Sequence, residues 1–423
     1  LARGARKPVF LHLRTVRLMG HAGSDIESGY RDKAEIETEA DQDPLLHTAR
    51  RLVEAGAMSL DDIEALYTDI GGRVWRAMEE ATARPKLSSA AEVTASLLPP
   101  KRVRRALRPG KLMANAPDDA RAKAEPQHLS RLISLALADE MERDGNVVVF
   151  GEDVAKKGGV YGATTRLQPK FGPSRVFDTI LDEQSILGTA IGLAHNGYIP
   201  VPEIQFLAYV HNAEDQLRGE AASLSFFSKG QYQNPMVVRV AGLGYQKGFG
   251  GHFHNDNSVA IFRDIPGIVL ACPSSGAEAV KMMREAFRLA REEGRVVVFL
   301  EPIALYPVKD LLSDGDGLMT SVFNDIEGAA AFGSVNAIGG GKDLAILTYG
   351  NGTYLSQRAA EALKAHGVNA RIIDLRWLAR SSPTAELPTS SRASPVSTRS
   401  FPSGPRPTKC SSAKRTSSTP RWR

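Results

Sequence analysis

Residues 176–197 read VFDTILDEQSILGTAIGLAHNG, and this stretch decides the fold. A strand-like run over 175–180 leads into a helix predicted over 185–195, whose glycines and alanines allow another element to approach closely. One acid, Glu183, stands just before that helix. A change from a strand pattern to a helix pattern within a few residues is typical of α/β proteins.

The same alternation continues on both sides of this stretch. Strands are predicted at 147–150, 200–206, 236–241, 267–271 and 295–300, and helices at 128–143, 212–228 and 276–292. Continuous Val, Ile and Leu in the strands, with amphipathic helices between them, indicates a parallel sheet covered on both faces. A second alternation follows, with a strand at 343–350, a helix at 353–366 and a strand at 370–378. We expect an α/β fold with a three-layer parallel sheet, followed by an incomplete C-terminal α/β domain.

The first 84 residues form a separate predicted unit. It has a strand over 8–18, a polar loop over 20–31, and helices over 43–55 and 59–83. Ser59 and Asp62 have the spacing of a capping box at the start of the second helix. Because one strand cannot build a sheet, we expect this unit to be the remnant of a larger domain.

Residues 85–126 contain six prolines and the basic cluster KRVRR (101–105), a composition typical of a linker. We interpret the cluster as solvated charge rather than as a site for an anionic partner.

Residues 380–423 are rich in Ser, Pro, Arg and Thr and contain almost no aliphatic residues, so they cannot bury a core. A natural disordered tail and out-of-frame translation both fit this composition. We favour the frame shift, because the pattern breaks just after a strand that still needs its helix.

Charge and cysteine content exclude some classes of partner. The tail alone carries a formal +8 against +5 for the whole chain, which leaves −3 for the other residues. No basic face is therefore expected, and no nucleic-acid partner. Two cysteines, Cys272 and Cys410, fit a reducing, cytoplasmic location. No apolar run approaches the roughly 20 residues of a membrane span, so no membrane partner is expected.

Glu183 and His254 are the residues best suited to chemistry. A buried glutamate can share a proton with a ring nitrogen of a bound cofactor, although an acid at a helix start more often serves the helix itself. His254 lies in the glycine-rich loop GLGYQKGFGGHFHNDNS (242–258), where flexible backbone can bring a histidine against a ligand. The alternative is a surface loop whose histidines are idle.

Metal binding is a weaker alternative for the same loop. It also holds His252, Asn255 and Asp256, but this short cluster lacks a recognisable ligand spacing, and we assign no metal ligand. The sequence GDG (315–317) lies in a polar stretch between domains, and we interpret it as a turn.

Residues 128–378 resemble the beta part of the first component of 2-oxo acid dehydrogenases, which are thiamine-diphosphate enzymes with a transketolase-like pyrimidine-binding domain. The segments that carry the resemblance are VVVFGEDV (147–154), FGPSRVFDTILDEQ (171–184), PEIQF (202–206), DQL (215–217), HFHNDNS (252–258), DIPGIVLACPS (264–274) and IDLRWL (373–378). Residues 8–84 resemble the C-terminal end of the alpha part, through LMGHAGSDIESGYR (18–31), ADQDPLL (40–46) and ARP (83–85).

The resemblance implies a piece of a fused alpha-beta chain. Its parts are expected to be an alpha remnant (1–84), a linker (85–126), a pyrimidine-binding domain (127–303), a connector (304–330), an incomplete transketolase C-terminal-like domain (331–379) and the tail (380–423).

The resemblance also assigns roles to residues. Glu183 would be the carboxylate on the aminopyrimidine nitrogen of thiamine diphosphate, and Phe206 would pack on or near that ring. His254 would assist binding of the substrate carboxylate and the later acyl transfer. His21 would lie near the reactive carbon. Tyr30 and Arg31 would belong to a loop that orders over the cofactor.

The implied reaction is oxidative decarboxylation of a 2-oxo acid, with transfer of the acyl group to a lipoylated acyltransferase by a homo- or hetero-oligomer. Magnesium and the diphosphate are expected to be held mainly by an alpha segment outside this sequence, so the chain is expected to bind the cofactor weakly alone. Two alternatives remain open. One is a transketolase-like ketol transferase, against which the GHAGSD loop argues, and the other is a non-catalytic fragment or interaction module.

Overall fold

A computed structural model describes residues 2–7, 9–102, 106–244 and 250–379. The predictions for the tail (380–423), for the end of the basic cluster (103–105) and for part of the glycine-rich loop (245–249) lie outside the described residues. The chain divides into two units, Leu1–Leu87 and Ser88–Arg423. No helix within the described ranges is long and apolar enough to cross a membrane.

The first unit is helical. Its helices are α1 (Ala2–Ala5), α2 (Lys33–Ala40), α3 (Pro44–Glu54) and α4 (Leu60–Ala83), with a 3-10 turn at Glu27–Gly29. The predicted capping box of α4 is confirmed, because Ser59 Oγ accepts the Asp62 amide at 3.1 Å and the Asp62 carboxylate accepts the Ser59 amide at 3.2 Å.

The predicted strand over 8–18 is wrong, since residues 9–18 form no strand. Their alternating apolar side chains are mostly exposed, and the described part of the unit contains no second strand with which they could pair. None of its described residues is buried, and most of the large apolar side chains of α4, including Leu66 and Ile70, are exposed. The described part of this unit therefore has no core of its own.

The second unit is built on a sheet with the order β12-β6-β7-β5-β4-β2-β3. All neighbours in this sheet are parallel except β12, which runs antiparallel to β6. The strands of the unit are β1 (Pro126–Gln127), β2 (Val147–Gly151), β3 (Val176–Asp178), β4 (Ile199–Ile204), β5 (Met236–Gly242), β6 (Val269–Ala271), β7 (Val296–Pro302), β8 (Ser321–Val322), β9 (Asn336–Ile338), β10 (Leu344–Thr348), β11 (Ala370–Asp374) and β12 (Trp377–Ala379).

Helices cover both faces of this sheet, which confirms the predicted three-layer α/β fold. The helices of the unit are α5 (Ala90–Ala95), α6 (Ala120–Ala124), α7 (Leu129–Arg143), α8 (Leu167–Phe171), α9 (Glu183–His195), α10 (Leu224–Phe227), α11 (Gly251–His254), α12 (Ala260–Arg263), α13 (Gly276–Glu293) and α14 (Asn351–Lys364). In β2, Val147 and Val149 belong to the core under α7 and α13, whereas Val148 and Phe150 belong to the core under α9. This alternation follows from the two-residue period of a strand.

A buried ion cluster joins three central strands. Arg239 on β5 bonds both oxygens of Glu301 on β7, at 2.7 and 2.8 Å, and also contacts Glu203 on β4. The Tyr306 hydroxyl donates to Glu301. Burial raises the pKa of Glu203 and of Tyr306, although the Arg239 guanidinium opposes this in both. Because a buried charge without a partner is costly, the cluster holds the carboxyl ends of these strands in register.

The smaller C-terminal sheet has the order β10-β11-β9, with α14 packed on β10 and β11. The prediction of one continuous strand over 370–378 is wrong, because two strands are present. The first, β11, ends at Asp374, and Trp377 of β12 pairs with Ala271 of the large sheet. Arg376 has a φ of +54°, which breaks the extended backbone between the two strands.

The predicted linker is attached to the rest of the second unit at several of its described residues. The Arg102 amide donates to Glu292 O, Gly110 N donates to Glu142 O, and Met113 N donates to Lys170 O. Farther along, Asp119 is 4% exposed and accepts bonds from Lys170 at 2.8 Å and Arg131 at 2.9 Å. The proline-rich composition agrees with the lack of long helices in this segment. It did not predict that the segment bonds to the rest of the unit.

Candidate active site

Glu183 is the first residue of α9 and follows a loop from β3, at the carboxyl edge of the sheet. Asp182 caps the helix, because its carboxylate accepts the Ser185 amide at 3.1 Å. The Glu183 side chain is therefore not needed as a cap, and the residue is only 9% exposed. The plainer interpretation of Glu183 as a capping acid loses its support.

The segment after β4 supplies the partner of Glu183. It forms a 3-10 helix over Leu207–Ala213, preceded by Phe206. Side chains three residues apart eclipse in such a helix, so Phe206, Tyr209 and Asn212 share one face. Asn212 Nδ2 donates to Glu183 Oε2 at 3.1 Å. Within the described ranges, Glu183 Oε1 has no hydrogen-bond partner.

His254 belongs to the same site. It ends α11, and its ring centroid lies 4.4 Å from that of Phe206, at an interplanar angle of 87°. The Tyr209 hydroxyl lies 3.4 Å from His254 Nε2, and the carbonyl oxygen of Gly250 lies 2.8 Å from Nδ1. Because a carbonyl can only accept, Nδ1 carries the proton, and the lone pair of the neutral ring is on Nε2. One turn thus contacts both Glu183 and His254.

A second acid, Glu152, lies close enough to Glu183 to be affected by its charge. Desolvation raises the pKa of Glu152, and the neighbouring Glu183, Asp153 and Glu203 carboxylates add to this effect. Glu152 directly follows β2, at the same edge of the sheet. Several acids therefore lie close together at this partly desolvated edge, and such a setting favours the protonated form of a carboxyl group.

The other three predicted site residues belong to the first unit, within the loop at 20–31. Asp25 orders this loop: it accepts the His21 amide at 2.7 Å and the Tyr30 hydroxyl at 3.1 Å. The His21 amide, together with the Tyr30 and Arg17 side chains, lowers the pKa of Asp25 in spite of desolvation.

Arg31 is engaged within its own unit. Its guanidinium pairs with Glu39 at 2.8 Å, Glu35 at 3.0 Å and Glu27 at 3.1 Å, and these bonds raise the pKa of Arg31. Because three carboxylates already compensate its charge, Arg31 stabilises its own loop and is not a free cation.

The interpretation of GDG (315–317) as a turn is confirmed. The Asp316 carboxylate accepts four backbone amides, those of Leu311, Leu312, Ser313 and Leu318. These bonds lower the pKa of Asp316, although desolvation acts against them.

No group of three or more His, Cys, Asp or Glu side chains in the described ranges is placed to hold a metal ion. In the glycine-rich loop, Asp256 accepts the Ser258 amide at 2.9 Å, which is a local turn.

Sequence reasoning missed Tyr209, Asn212 and Glu152. A signal for all three was present, because each follows the carboxyl end of a predicted parallel strand, the edge at which α/β proteins bind ligands. The period of three from Phe206 to Asn212 fell between the predicted strand over 200–206 and the predicted helix over 212–228, so no helix was expected there. The later stretch is helical as predicted but is not one ordinary α-helix, since it is formed by a π-helix over Gln216–Ala222 and the short α10.

Three family models match the chain. They are described as "Dehydrogenase E1 component" (residues 1–90), "Transketolase, pyrimidine binding domain" (126–308) and "Transketolase, C-terminal domain" (333–386).

Curated relatives decide the family. The pyruvate dehydrogenase E1 component subunit beta of Bacillus subtilis (strain 168) is 35% identical over 249 residues, which are 58% of this chain and 70% of that protein. The chain belongs to the 2-oxo acid dehydrogenase E1 family. The 2-oxoisovalerate dehydrogenase subunit beta of the same organism is 35% identical over 58% of this chain and 70% of its own length. Its counterpart in Pseudomonas aeruginosa is 36% identical over 56% and 67%.

The predicted family and fold are thereby confirmed. The E1 relatives act on 2-oxo acids by name, which does not favour the ketol-transferase alternative. A split-gene transketolase of known structure covers 60% of this chain and 73% of its own length, with a TM-score of 0.46 at 22% identity, and this likeness adds nothing to the assignment.

Proposed function

We propose that this E1 chain takes part in the thiamine-diphosphate-dependent oxidative decarboxylation of a 2-oxo acid and passes the acyl group to a lipoylated acyltransferase. One observation carries the proposal. The turn over 207–213 contacts Glu183 through Asn212 and His254 through Tyr209, so a carboxylate and an imidazole face a common place at the carboxyl edge of the sheet.

The residues at this edge fit the aminopyrimidine ring of thiamine diphosphate. Glu183 is nearly buried, and its Oε1 is unbonded among the described residues, so it can share a proton with a ring nitrogen. Phe206 and His254 contact each other edge to face at the same turn that bonds Glu183. When bound, thiamine diphosphate supplies the carbon nucleophile and the electron sink for decarboxylation.

The chain's own residues would divide the work. Glu183 would hold a proton at Oε1 against the aminopyrimidine, and Phe206 would pack on or near that ring and exclude water. His254 would bind the substrate carboxylate when protonated and return a proton from Nε2 when acyl transfer requires it. His21, Tyr30 and Arg31 would belong to the loop that covers the cofactor.

Further parts of the proposal concern partners and organisation. A magnesium ion would accompany the diphosphate, held mainly by residues other than those described. The expected parts, from the alpha remnant (1–84) through the pyrimidine-binding domain (127–303) to the domain at 331–379, would work in a cytoplasmic oligomer. The relatives' names as subunits of dehydrogenases support an oligomer.

Turnover on different substrates tests the proposal. The purified chain, with thiamine diphosphate and magnesium, is offered pyruvate, branched 2-oxo acids and ketose phosphates with an artificial electron acceptor. Because the chain is expected to bind the cofactor weakly alone, thiamine diphosphate is supplied in large excess, and we expect slow reduction of the acceptor with a 2-oxo acid. Turnover of a ketose phosphate without any turnover of a 2-oxo acid would eliminate the proposal in favour of a ketol transferase.

A further inference from the structure

Asn212 is the single described residue that hydrogen-bonds the Glu183 carboxylate. Its Nδ2 donates to Oε2 at 3.1 Å, whereas its own side chain is exposed. The bond spans 29 residues of sequence and joins the 3-10 turn to the first residue of α9. An exposed asparagine in this position is not needed to fill the core.

The bond restricts how Glu183 can present its carboxylate. A glutamate side chain has three rotatable bonds, and its terminal torsion is broad, so a nearly buried carboxylate without a partner samples several orientations. A donor on Oε2 fixes the plane of the group and leaves Oε1 for another partner. Proton sharing with a ring nitrogen requires that orientation, because hydrogen bonds weaken steeply when misaligned.

The local backbone explains how the Asn212 side chain reaches the Glu183 carboxylate. The 3-10 geometry places it on the same face as Tyr209, which lies 3.4 Å from His254 Nε2. Runs of more than about four residues in this geometry are uncommon, and a π-helix, another rare form frequent at functional sites, begins three residues after this one ends.

We propose that Asn212 is a positioning residue for Glu183, which it holds with one carboxylate oxygen engaged and the other available to the cofactor ring. The inference rests on the proposed function and assigns Asn212 no contact with substrate. This role requires a hydrogen-bond donor, because an acceptor of the same shape in place of Asn212 would repel the Glu183 carboxylate.

Three variants test the inference. Asn212→Ala removes the donor, and Asn212→Asp keeps the shape but places a second carboxylate beside Glu183. Asn196→Ala is the matched control, because Asn196 also donates its side-chain amide on α9, to Gly192 O at 2.8 Å, at the opposite end of the helix. The melting temperature should fall only slightly in the Asn212 variants, because the exposed side chain fills no core and only its bond to Glu183 is changed.

The primary readout is the dissociation constant of thiamine diphosphate in the presence of magnesium. We expect roughly fivefold weaker binding by Asn212→Ala, a larger loss by Asn212→Asp, and no change in Asn196→Ala. A second readout needs no cofactor: the side-chain amide resonance of Asn212 should shift when Glu183→Gln is introduced into the cofactor-free protein.

The outcomes separate the two claims. Normal binding by the parent with unchanged binding by Asn212→Ala and Asn212→Asp would overturn the inference alone. Absence of binding by the parent would overturn the proposed function, and the inference with it. If the Asn212 amide resonance does not shift in Glu183→Gln, the hydrogen bond between Asn212 and Glu183 is contradicted.

Discussion

At the scale of single residues, neighbouring acids at the start of α9 do different work. Asp182 caps the helix, and Glu183 is left nearly buried against Asn212. The sequence predicted that Glu183 is the chemically interesting acid, because it stands before a helix of small residues. It could not predict Asn212 as the partner, since a bond across 29 residues depends on how the turn after β4 is folded.

The tautomer of His254 is a prediction at the same scale. Nδ1 should carry the proton in the neutral ring, because the Gly250 carbonyl can only accept. Long-range proton–nitrogen NMR of labelled protein, at a pH where the ring is neutral, measures this directly. Tyr209→Phe should leave the tautomer unchanged, since it removes only the bond at Nε2. A neutral ring protonated at Nε2 would contradict the assignment.

At the scale of elements, the central strands were predictable and the turns between them were not. Continuous Val, Ile and Leu marked β2, β5 and β7, because both faces of these strands are buried. The strand predicted over 8–18 had alternating side chains, but a strand needs a partner, and the sequence does not show whether one is present. The 3-10 and π-helices after β4 depend on tertiary contacts, which no local pattern records.

The attached segment around α6 gives a prediction at the element scale. Asp119 is buried and pairs with Lys170 and Arg131, which lower its pKa below the ordinary 3.8 in spite of desolvation. A lowered pKa stabilises the fold at pH values above 3.8, and this contribution is lost as the pH falls through the lowered value. Removing the Asp119 charge takes one partner each from Lys170 and Arg131, so Asp119→Asn should reduce the free energy of unfolding near neutral pH by about 2–3 kcal/mol. This is below the usual cost of a broken buried pair, because Glu142 still pairs with Lys170.

Denaturant unfolding from pH 7 down to acid pH measures the difference. The gap between parent and Asp119→Asn should be constant near neutral pH and shrink in acid. Glu125→Gln is the control in the same segment, since Glu125 pairs with Arg121 in solvent, and this variant should behave like the parent. A gap that grows as the pH falls would show that Asp119 is not the stabilising group.

At the scale of the whole molecule, charge and composition excluded classes of partner but did not locate the site. The last 44 residues carry a formal charge of +8, and the remaining 379 residues carry −3, which together give the +5 of the chain. Predicted and matched regions agree in order along the chain, with a dehydrogenase E1 model at the start and transketolase models after it. The domain boundaries themselves stay a prediction.

The central claim is that Glu183 binds the aminopyrimidine ring of thiamine diphosphate. Isothermal titration of thiamine diphosphate, with magnesium, into the parent chain and into Glu183→Gln tests it most directly. Glu220→Gln is the control, since it removes the same charge from an exposed position on the neighbouring π-helix. We expect weak but saturable binding by the parent and by the control, because the diphosphate is expected to be held mainly by other residues, and binding weaker by roughly tenfold or more in Glu183→Gln. Equal affinity of the parent and Glu183→Gln, or no binding by the parent, would contradict the claim.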